Sequence, residues 1–478
     1  MQGSTENGTG CVHVISRRLV RAEASPPPPT PAPETIHLAP WDLRMATVDY
    51  MQKGLLLPKP EHEHHHHHPA AGLSVVDRLA SALARTLARF LPFAGRLVVD
   101  ERSDDGTITL SLRCTGEGAE FIHAAAPGAK AADITEALYT PRELVASLFP
   151  LNGLVSTDAA TVDGDSRRAP LLAVQVTELA DAVFVAVSLN HAVGDGTALW
   201  HFVNTWSDLS RRGGATSELP PPVLERWFLD TCPVPVPLPF AKLEHAVRRC
   251  DRPPPFQECF FHFSAETVRK LKARANAEVQ YGEAMGTATI SSLQALLAHL
   301  WRSVCRARRL EPSQEAVFLL LIGCRGRVKG VPPAGYVGNA VVPCKVKSTA
   351  GEVLEKGLGW TAWQLNRAVA SFDEAAIVND SLKRWLREPR LSYTADMLSG
   401  AAALGTGSSP RFDVYGNDFG WGKPVAVRSG PANKLDGKIS VYEGRGGGGA
   451  LALEICLAPD ALERLVADDE FMDAVSAP

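Results

Sequence analysis

A cluster of proline-rich segments in the middle of the chain places the strongest constraint on the fold. These segments are residues 211–222 (RRGGATSELPPP), 233–239 (PVPVPLP) and 253–255. Proline lacks the amide proton that helices and central strands need, so regular elements are not expected to run through this region. With 478 residues the chain is long enough for two or three domains. We therefore expect two parts of similar size, joined by an interdomain crossover.

The segments on either side of this cluster contain both helical and strand patterns. Apolar residues recur at helical spacing in residues 77–93, 197–209 and 291–304. We expect Pro92 to end the first helix, Thr197 to cap the second, and Ser291 with Gln294 to form a capping box for the third. Residues 182–189 (AVFVAVSL) and 316–322 (AVFLLLI) are continuous apolar runs, as expected of strands buried on both faces. The pattern predicts an α/β fold.

Composition and targeting signals restrict the classes of partner. The 49 basic and 53 acidic residues give a net charge of −4, so nucleic acid is not an expected partner. The run 316–322 has about a third of the length of a membrane span, so no span is expected. The first 20 residues lack the apolar segment of a secretory signal. The nine cysteines form no CxxC pair, so we expect free thiols, no metal site and a cytoplasmic protein. The histidine-rich stretch 62–68 could bind metal only opportunistically.

The sequence HAVGDG at residues 191–196 is the strongest candidate for chemistry. It lies between a predicted strand and a predicted helix, where α/β proteins present ligand-binding side chains. His191 could act as a general base, because imidazole is both neutral and basic near pH 7. Asp195 could orient the imidazole or fix the loop through an ion pair. The same residues are also compatible with an ordinary loop that ends in an Asp-Gly turn.

A second motif, NDFGWGKP, occupies residues 417–424 near the end of the chain. Its glycines indicate a tight loop in which backbone segments approach closely. It contains no pair of titratable groups suited to proton transfer. Taken alone, Asp418, Phe419, Gly420, Trp421 and Gly422 therefore predict a structural loop.

Together the two motifs resemble those of the BAHD acyltransferases of plants, which carry HxxxD near mid-chain and DFGWG near the C-terminus. Further sequence segments extend the resemblance over almost the whole chain: ATVDY at 46–50, FLPFAGRL at 90–97, ISSLQALLAHLWR at 290–302 and GYVGN at 335–339. The sequence around the two motifs is similar to that of a subgroup of poorly characterised, acetyltransferase-like members. One departure is Gly323-Cys324-Arg325, where many members carry an aspartate before the arginine.

The resemblance implies two similar-sized domains, each like chloramphenicol acetyltransferase, with a solvent channel between them. It implies an N-terminal domain at 1–212, a crossover at 213–256 and a C-terminal domain at 257–478. His191 would lie mid-channel. An acyl-CoA co-substrate would enter from one side, and an alcohol or amine of a plant metabolite from the other. No cofactor is implied, and we expect a monomer.

The resemblance also assigns expected roles within the motifs. His191 would remove the acceptor's proton during attack on the thioester, without a covalent enzyme intermediate. Asp195, the second residue of the catalytic motif, would turn away from the channel and pair with Arg325 or, as a second choice, Arg327. The DFGWG loop would be architectural. Ser408 and Ser409 are candidate oxyanion or acceptor contacts.

Three alternatives belong to other functional classes. A divergent relative suggests a lyase of the same fold, although the intact His191 argues against it. A condensation domain of peptide synthesis carries HHxxxDG, but Asn190 replaces the first histidine here. A non-catalytic binding protein would release no thiol from acyl-CoA.

Overall fold

The computed structural model describes residues 11–23, 34–60, 74–161, 168–213, 215–249, 254–281, 288–331, 335–398, 400 and 402–476. The histidine-rich stretch 62–68 lies outside the described residues. The strands are β1 His13–Val20, β2 Thr35–His37, β3 Met51–Pro58, β4 Arg96–Arg102, β5 Thr107–Arg113, β6 Ala119–Ala126, β7 Leu172–Leu179, β8 Ala182–Leu189, β9 Gln257–Phe263, β10 Glu315–Gly323, β11 Val341–Thr349, β12 Ala403–Gly407, β13 Ala426–Ser429, β14 Lys438–Glu443 and β15 Leu451–Leu457.

The α-helices are α1 Pro40–Arg44, α2 Val75–Arg89, α3 Ala131–Thr135, α4 Arg142–Ser147, α5 Gly196–Arg211, α6 Ala265–Tyr281, α7 Ser292–Ala307, α8 Ala350–Glu355, α9 Gly357–Ala370, α10 Lys383–Arg387, α11 Thr394–Met397, α12 Pro459–Val466 and α13 Asp469–Met472. Short 3₁₀ turns occur at Leu91–Ala94, Ser156–Ala160 and Leu243–Ala246, and a π-helical turn at Ala376–Leu382. No described helix is both long and apolar enough to cross a membrane.

Two mixed sheets organise the molecule, and this confirms the α/β class. Within the described residues, the first sheet has the strand order β1-β6-β7-β8-β3-β13, and the second has β11-β10-β12-β14-β15-β9. A smaller sheet, β2-β5-β4, lies beside them. Each six-stranded sheet supplies one main hydrophobic core: α2 and α5 contribute to the first, and α6, α7 and α9 to the second.

The three predicted helices are confirmed as α2, α5 and α7, with two corrections at their ends. Ser74 caps α2, and α7 has the expected capping box between Ser291 and Gln294. The first helix stops at Arg89, before the 3₁₀ turn that contains Pro92. Thr197 does not cap α5. Asp195 is the cap, because its carboxylate accepts the backbone N–H groups of Thr197 and Ala198.

The two apolar strand segments differ in their surroundings. All of β8 is buried, as its continuous apolar sequence predicts. In β10 five of residues 316–322 are buried, whereas Val317 is half-buried and Leu321 is 38% exposed. The expectation of a buried strand therefore holds for most of the run and fails at Val317 and Leu321. Phe318, Leu320 and Ile322 pack into the second core, while the opposite face of the strand is only partly covered.

Chain segments cross between the two halves. Strand β13 follows the second half in sequence but pairs antiparallel with β3, at the edge of the first sheet. The described residues of 213–256 contain the 3₁₀ turn Leu243–Ala246 and isolated bridges but no longer element. The limits 1–212, 213–256 and 257–478 stay a prediction, and any division must assign β13 to the sheet of the first half.

Candidate active site

The loop that carries His191 is fixed first by its own half of the molecule. It leaves the buried strand β8 and enters α5 at Gly196. The His191 N–H donates to Ser156 Oγ at 3.0 Å. The Asn190 side chain donates to the Ser156 carbonyl at 2.8 Å and accepts the Ala192 N–H at 3.0 Å. These bonds hold the backbone before and after His191 in one conformation.

The same loop is also held by residues distant in sequence. Asn339 Nδ2 donates to the His191 carbonyl at 2.8 Å, and Arg226 donates to the Val193 carbonyl at 2.7 Å. Asp42, fully buried on α1, contacts both Asn339 and Arg226. Its carboxylate accepts the Asn339 backbone and side-chain N–H groups at 2.7 and 3.0 Å and lies 3.1 Å from Arg226 Nε. The position of His191 therefore depends on contacts from both halves.

The His191 ring is partly buried, and its Nδ1 atom is buried without a hydrogen-bond partner among the described residues. Burial lowers the pKa of His191, because the charged imidazolium loses solvation there. The charge of Asp195 opposes this shift, and the charge of Lys438 adds to it. The ring is consequently neutral at pH 7, the form that a general base requires.

We expect the activity of the protein to persist below pH 6.5. A lowered pKa keeps His191 neutral as the pH falls, so kcat should decline only below the ordinary imidazole value of about 6.5. The measurement is kcat between pH 4.5 and 8.5 with an acceptor that does not titrate in this range, such as an aliphatic alcohol. An acidic limb centred above pH 7 would contradict this assignment.

The carboxylate of Asp195 satisfies several groups at once. Besides capping α5, its two oxygens receive Arg325 at 2.6 and 3.0 Å and the Ala340 N–H at 3.0 Å. Both side chains are almost fully buried, with 9% of Arg325 and 4% of Asp195 exposed. Arg325 also donates to the carbonyls of Tyr336 and Gly338. The structure thus joins α5 to the segment that carries Asn339.

The second arginine candidate lies elsewhere. Arg327 is exposed, and its guanidinium donates to the carbonyls of Phe372 and Val369 at 2.9 and 3.4 Å. Cys324, which directly precedes Arg325, is buried. Burial raises the pKa of the Cys324 thiol to about 12, so it is inert as a nucleophile at neutral pH.

The DFGWG loop bridges α5 and the end of β3. Asp418 accepts the N–H groups of Gly420 and Gly422 at 2.8 and 3.1 Å, and both glycines have the positive φ angles that such a turn demands. Phe419 is buried edge-on against Trp206, with ring centroids 5.0 Å apart. Trp421 is half-buried, and its indole N–H donates to the Pro58 carbonyl at 3.1 Å.

The two candidate serines follow β12. Ser408 has φ +76°, a left-handed conformation that is strained for a serine, and its Oγ is buried without a partner among the described residues. Ser409 Oγ accepts the Arg411 N–H at 3.2 Å. Of the two, only Ser408 therefore has a buried hydroxyl free for another acceptor or donor.

Comparison with known proteins identifies the family. A sequence-family model described as the Transferase family matches residues 12–472. An uncharacterized acetyltransferase of Arabidopsis thaliana is 34% identical over 442 residues, covering 92% of this chain and 94% of that protein. BAHD acyltransferase DCR, also of Arabidopsis thaliana, is 32% identical over 464 residues, 95% of this chain and 92% of that protein. The chain belongs to the BAHD acyltransferase family.

The fold of this BAHD acyltransferase has a counterpart among solved structures. TRI101 of F. sporotrichioides, complexed with coenzyme A and T-2, aligns with a TM-score of 0.68 and 20% sequence identity. The alignment covers 92% of this chain and 99% of that one. The family membership and the two-domain α/β fold expected from the motifs are therefore confirmed, and the protein is a transferase.

Sequence reasoning missed some residues that build the BAHD site. Asn339 lies in the GYVGN segment, which served only as a family marker. Asp42 and Arg226 carry no local signal, because Asp42 pairs with Arg226 and binds Asn339 across more than a hundred residues of chain. Lys438 is an ordinary lysine in a strand, and only the fold places its charge near His191.

We expect the DFGWG loop of this acyltransferase to act through stability. Phe419→Ala should cost about 3–5 kcal/mol, because it empties a fully buried site. Trp421→Ala should cost less, about 1–3 kcal/mol, since the ring is only half-buried. Trp421→Phe keeps the ring packing and serves as the control. Urea unfolding measures all three. A well-folded Trp421→Ala protein with a shifted pH–activity profile would contradict an architectural role.

Proposed function

We propose that the protein transfers an acyl group from acyl-CoA to an alcohol or amine of a small plant metabolite, with His191 as general base. The observation that carries the proposal is the neutral, partly buried imidazole, held by hydrogen bonds from both halves of the chain. Family membership supports acyl-CoA-dependent transfer in general. The coenzyme A in the complex of TRI101 supports a CoA thioester as the donor.

In the proposed reaction both substrates bind together in a channel between the two halves. His191 Nε2 takes the proton of the acceptor as its oxygen or nitrogen attacks the thioester carbonyl. The tetrahedral intermediate then collapses, the carbon–sulfur bond breaks, and the imidazolium protonates the departing CoA thiolate. No acyl-enzyme is required. The described cysteines with raised pKa values, such as Cys324, support a route without a thiolate nucleophile.

The negative charge of the tetrahedral intermediate requires a donor. Ser408 is the serine we favour, because its hydroxyl is buried, has no partner among the described residues and is held by a strained backbone after β12. Such preorganised donors stabilise a developing oxyanion without reorganisation during the reaction. Ser409 supports the turn, since its hydroxyl already accepts the Arg411 N–H.

Asp195, with Arg325, acts as a positioning residue in this proposal. Its oxygens are used by the α5 N-terminus, Arg325 and Ala340, which leaves none to relay a proton to His191. The DFGWG residues Asp418, Phe419, Gly420, Trp421 and Gly422 likewise hold the architecture. A cytoplasmic location and a monomeric state stay predictions.

A panel of acyl-CoA donors with pooled alcohols and amines tests the proposal. Acetyl-, malonyl-, benzoyl-, hydroxycinnamoyl- and long-chain acyl-CoA would each be incubated with the acceptors, and the products read by mass spectrometry. We expect a mass increase of one acyl group on at least one acceptor. Cleavage of an acceptor without acyl gain would favour a lyase, and binding without any product would favour a binding protein.

A further inference from the structure

A group of buried charges lies where the second sheet faces the first half of the molecule. Tyr442 of β14 and Ala452 of β15 pack into the first core, whereas their neighbours Val441 and Leu453 pack into the second. Because side chains alternate along a strand, residues two or four positions away share the face of Tyr442 and Ala452. The charged side chains in and around this face are Lys53, Glu258, Lys434, Lys438 and Glu454.

Most of these groups have partners within the protein. Lys434 Nζ lies 2.6 Å from Glu258 and 3.1 Å from Glu454, so one lysine is shared by both carboxylates. Lys53 Nζ donates to Ser429 Oγ and to Tyr442 OH, each at 2.8 Å. Lys53 therefore has neutral partners only.

Lys438 differs from the other members of the group. In the described part of the chain its ammonium group forms no hydrogen bond and no ion pair, although its backbone N–H donates to the Leu435 carbonyl at 3.0 Å. Its Nζ extends across the neighbouring strand β12, where a Cβ atom on Gly407 would come within 2.6 Å of it. A larger residue at 407 would displace the ammonium. Gly407 immediately precedes Ser408, the buried hydroxyl described above.

The charge of Lys438 acts on the catalytic histidine as well as on Lys53. It lowers the pKa of both groups, in each case in addition to the effect of burial. The pKa of Lys438 is itself lowered by burial, and that of Lys53 falls to about 7. Lys438 thus belongs to the group of buried charges, and its Nζ lies beside Gly407, the residue before Ser408.

The charge balance of the group indicates what is missing. Both carboxylates, Glu258 and Glu454, are already bound to Lys434, and the buried Arg428 of β13 adds a further positive charge to the group. Removing an ammonium from water is costly unless an anion compensates it. A lysine that has no ion-pair partner beside a candidate reaction centre therefore fits an anion that arrives with the substrate.

We propose that Lys438, with Lys53 behind it, binds a carboxylate of the small-molecule substrate next to His191. This inference rests on the proposed acyl transfer and names the chemical class of its substrate. The carboxylate could belong to the acceptor or to the acyl group of the donor. In either case it would form a charge-assisted hydrogen bond with Lys438 Nζ.

The experiment compares wild type with Lys438→Met in two arms. The acceptor arm uses 4-hydroxybenzoate and other hydroxy acids, each against its own methyl ester. The donor arm uses malonyl-CoA against acetyl-CoA. Wild type should prefer the carboxylate in one arm, and Lys438→Met should lower that preference in kcat/KM by about 10- to 100-fold. The arm that responds identifies which substrate carries the carboxylate.

Matched variants separate binding from folding. Lys438→Arg keeps the positive charge and should retain most of the preference, whereas Lys272→Met, on the exposed face of α6, should leave it unchanged. Isothermal titration with the same acids and esters gives a second readout that needs no turnover. An equal preference in wild type and Lys438→Met, in both arms and in titration, overturns the inference. If acyl transfer continues in that case, the proposed function stands without it.

Discussion

Replacing His191 with alanine is expected to lower kcat by about 10²–10⁴-fold, the usual contribution of a general base. The loop around it should keep its conformation, because the hydrogen bonds that fix residue 191 come from its backbone N–H and carbonyl. The unfolding midpoint and the affinity for acyl-CoA should therefore change little. The measurement is steady-state kinetics with the donor and acceptor identified by the panel.

His191→Gln serves as the matched control for this prediction. Glutamine retains a polar side chain of similar size but cannot take up a proton near neutral pH, so it should be as inactive as alanine. Near-native turnover in either variant would show that another group removes the acceptor's proton.

Asp195→Asn is expected to destabilise the protein by about 3–5 kcal/mol, because it leaves the buried Arg325 without its counter-charge. Asparagine caps helices about as well as aspartate, so the loss reports on the ion pair rather than on the start of α5. Activity should fall as well, since Arg325 and Ala340 connect α5 to the segment of Asn339. Urea unfolding and kcat, measured on the same preparations, test both effects.

The same substitution at Asp460 provides the control. Asp460 pairs with Arg464 at 2.8 Å on the surface of α12, where 70% of its side chain is exposed. Exposed pairs of this kind contribute about 0–1 kcal/mol. An Asp195→Asn protein that unfolds like wild type yet loses activity would place Asp195 in the chemistry beside His191.

Local patterns predicted much of the fold and of the motif loops. The helices α2, α5 and α7 follow from apolar spacing over three or more turns, which only a packed helix face explains. The strand, loop and helix around His191 follow in the same way from AVFVAVSL and the apolar positions after it. Thr197 was the wrong cap because Asp195, two residues earlier, has a carboxylate that can satisfy the helix N-terminus and Arg325 together.

Sequence patterns could not predict contacts between residues that are far apart in the chain. The contact of Asn339 with the His191 carbonyl spans 148 residues, and nothing near Asp42 indicates that it joins Asn339 to Arg226. The partial exposure of β10 depends on what covers its second face, which a continuous apolar run does not reveal. Lys438 becomes notable only when the sheet places its Nζ beside Gly407, while both glutamates pair with Lys434.

The ratio of free CoA thiol released to acylated acceptor formed distinguishes direct acyl transfer by this protein from every other function considered. Both are measured in one reaction mixture, with and without the acceptor, and a mixture lacking enzyme gives the background. Direct transfer predicts thiol release that depends on the acceptor and matches acylated product one to one. Thiol release that is independent of the acceptor, or acceptor turnover without any thiol, would contradict acyl transfer as the function of this protein.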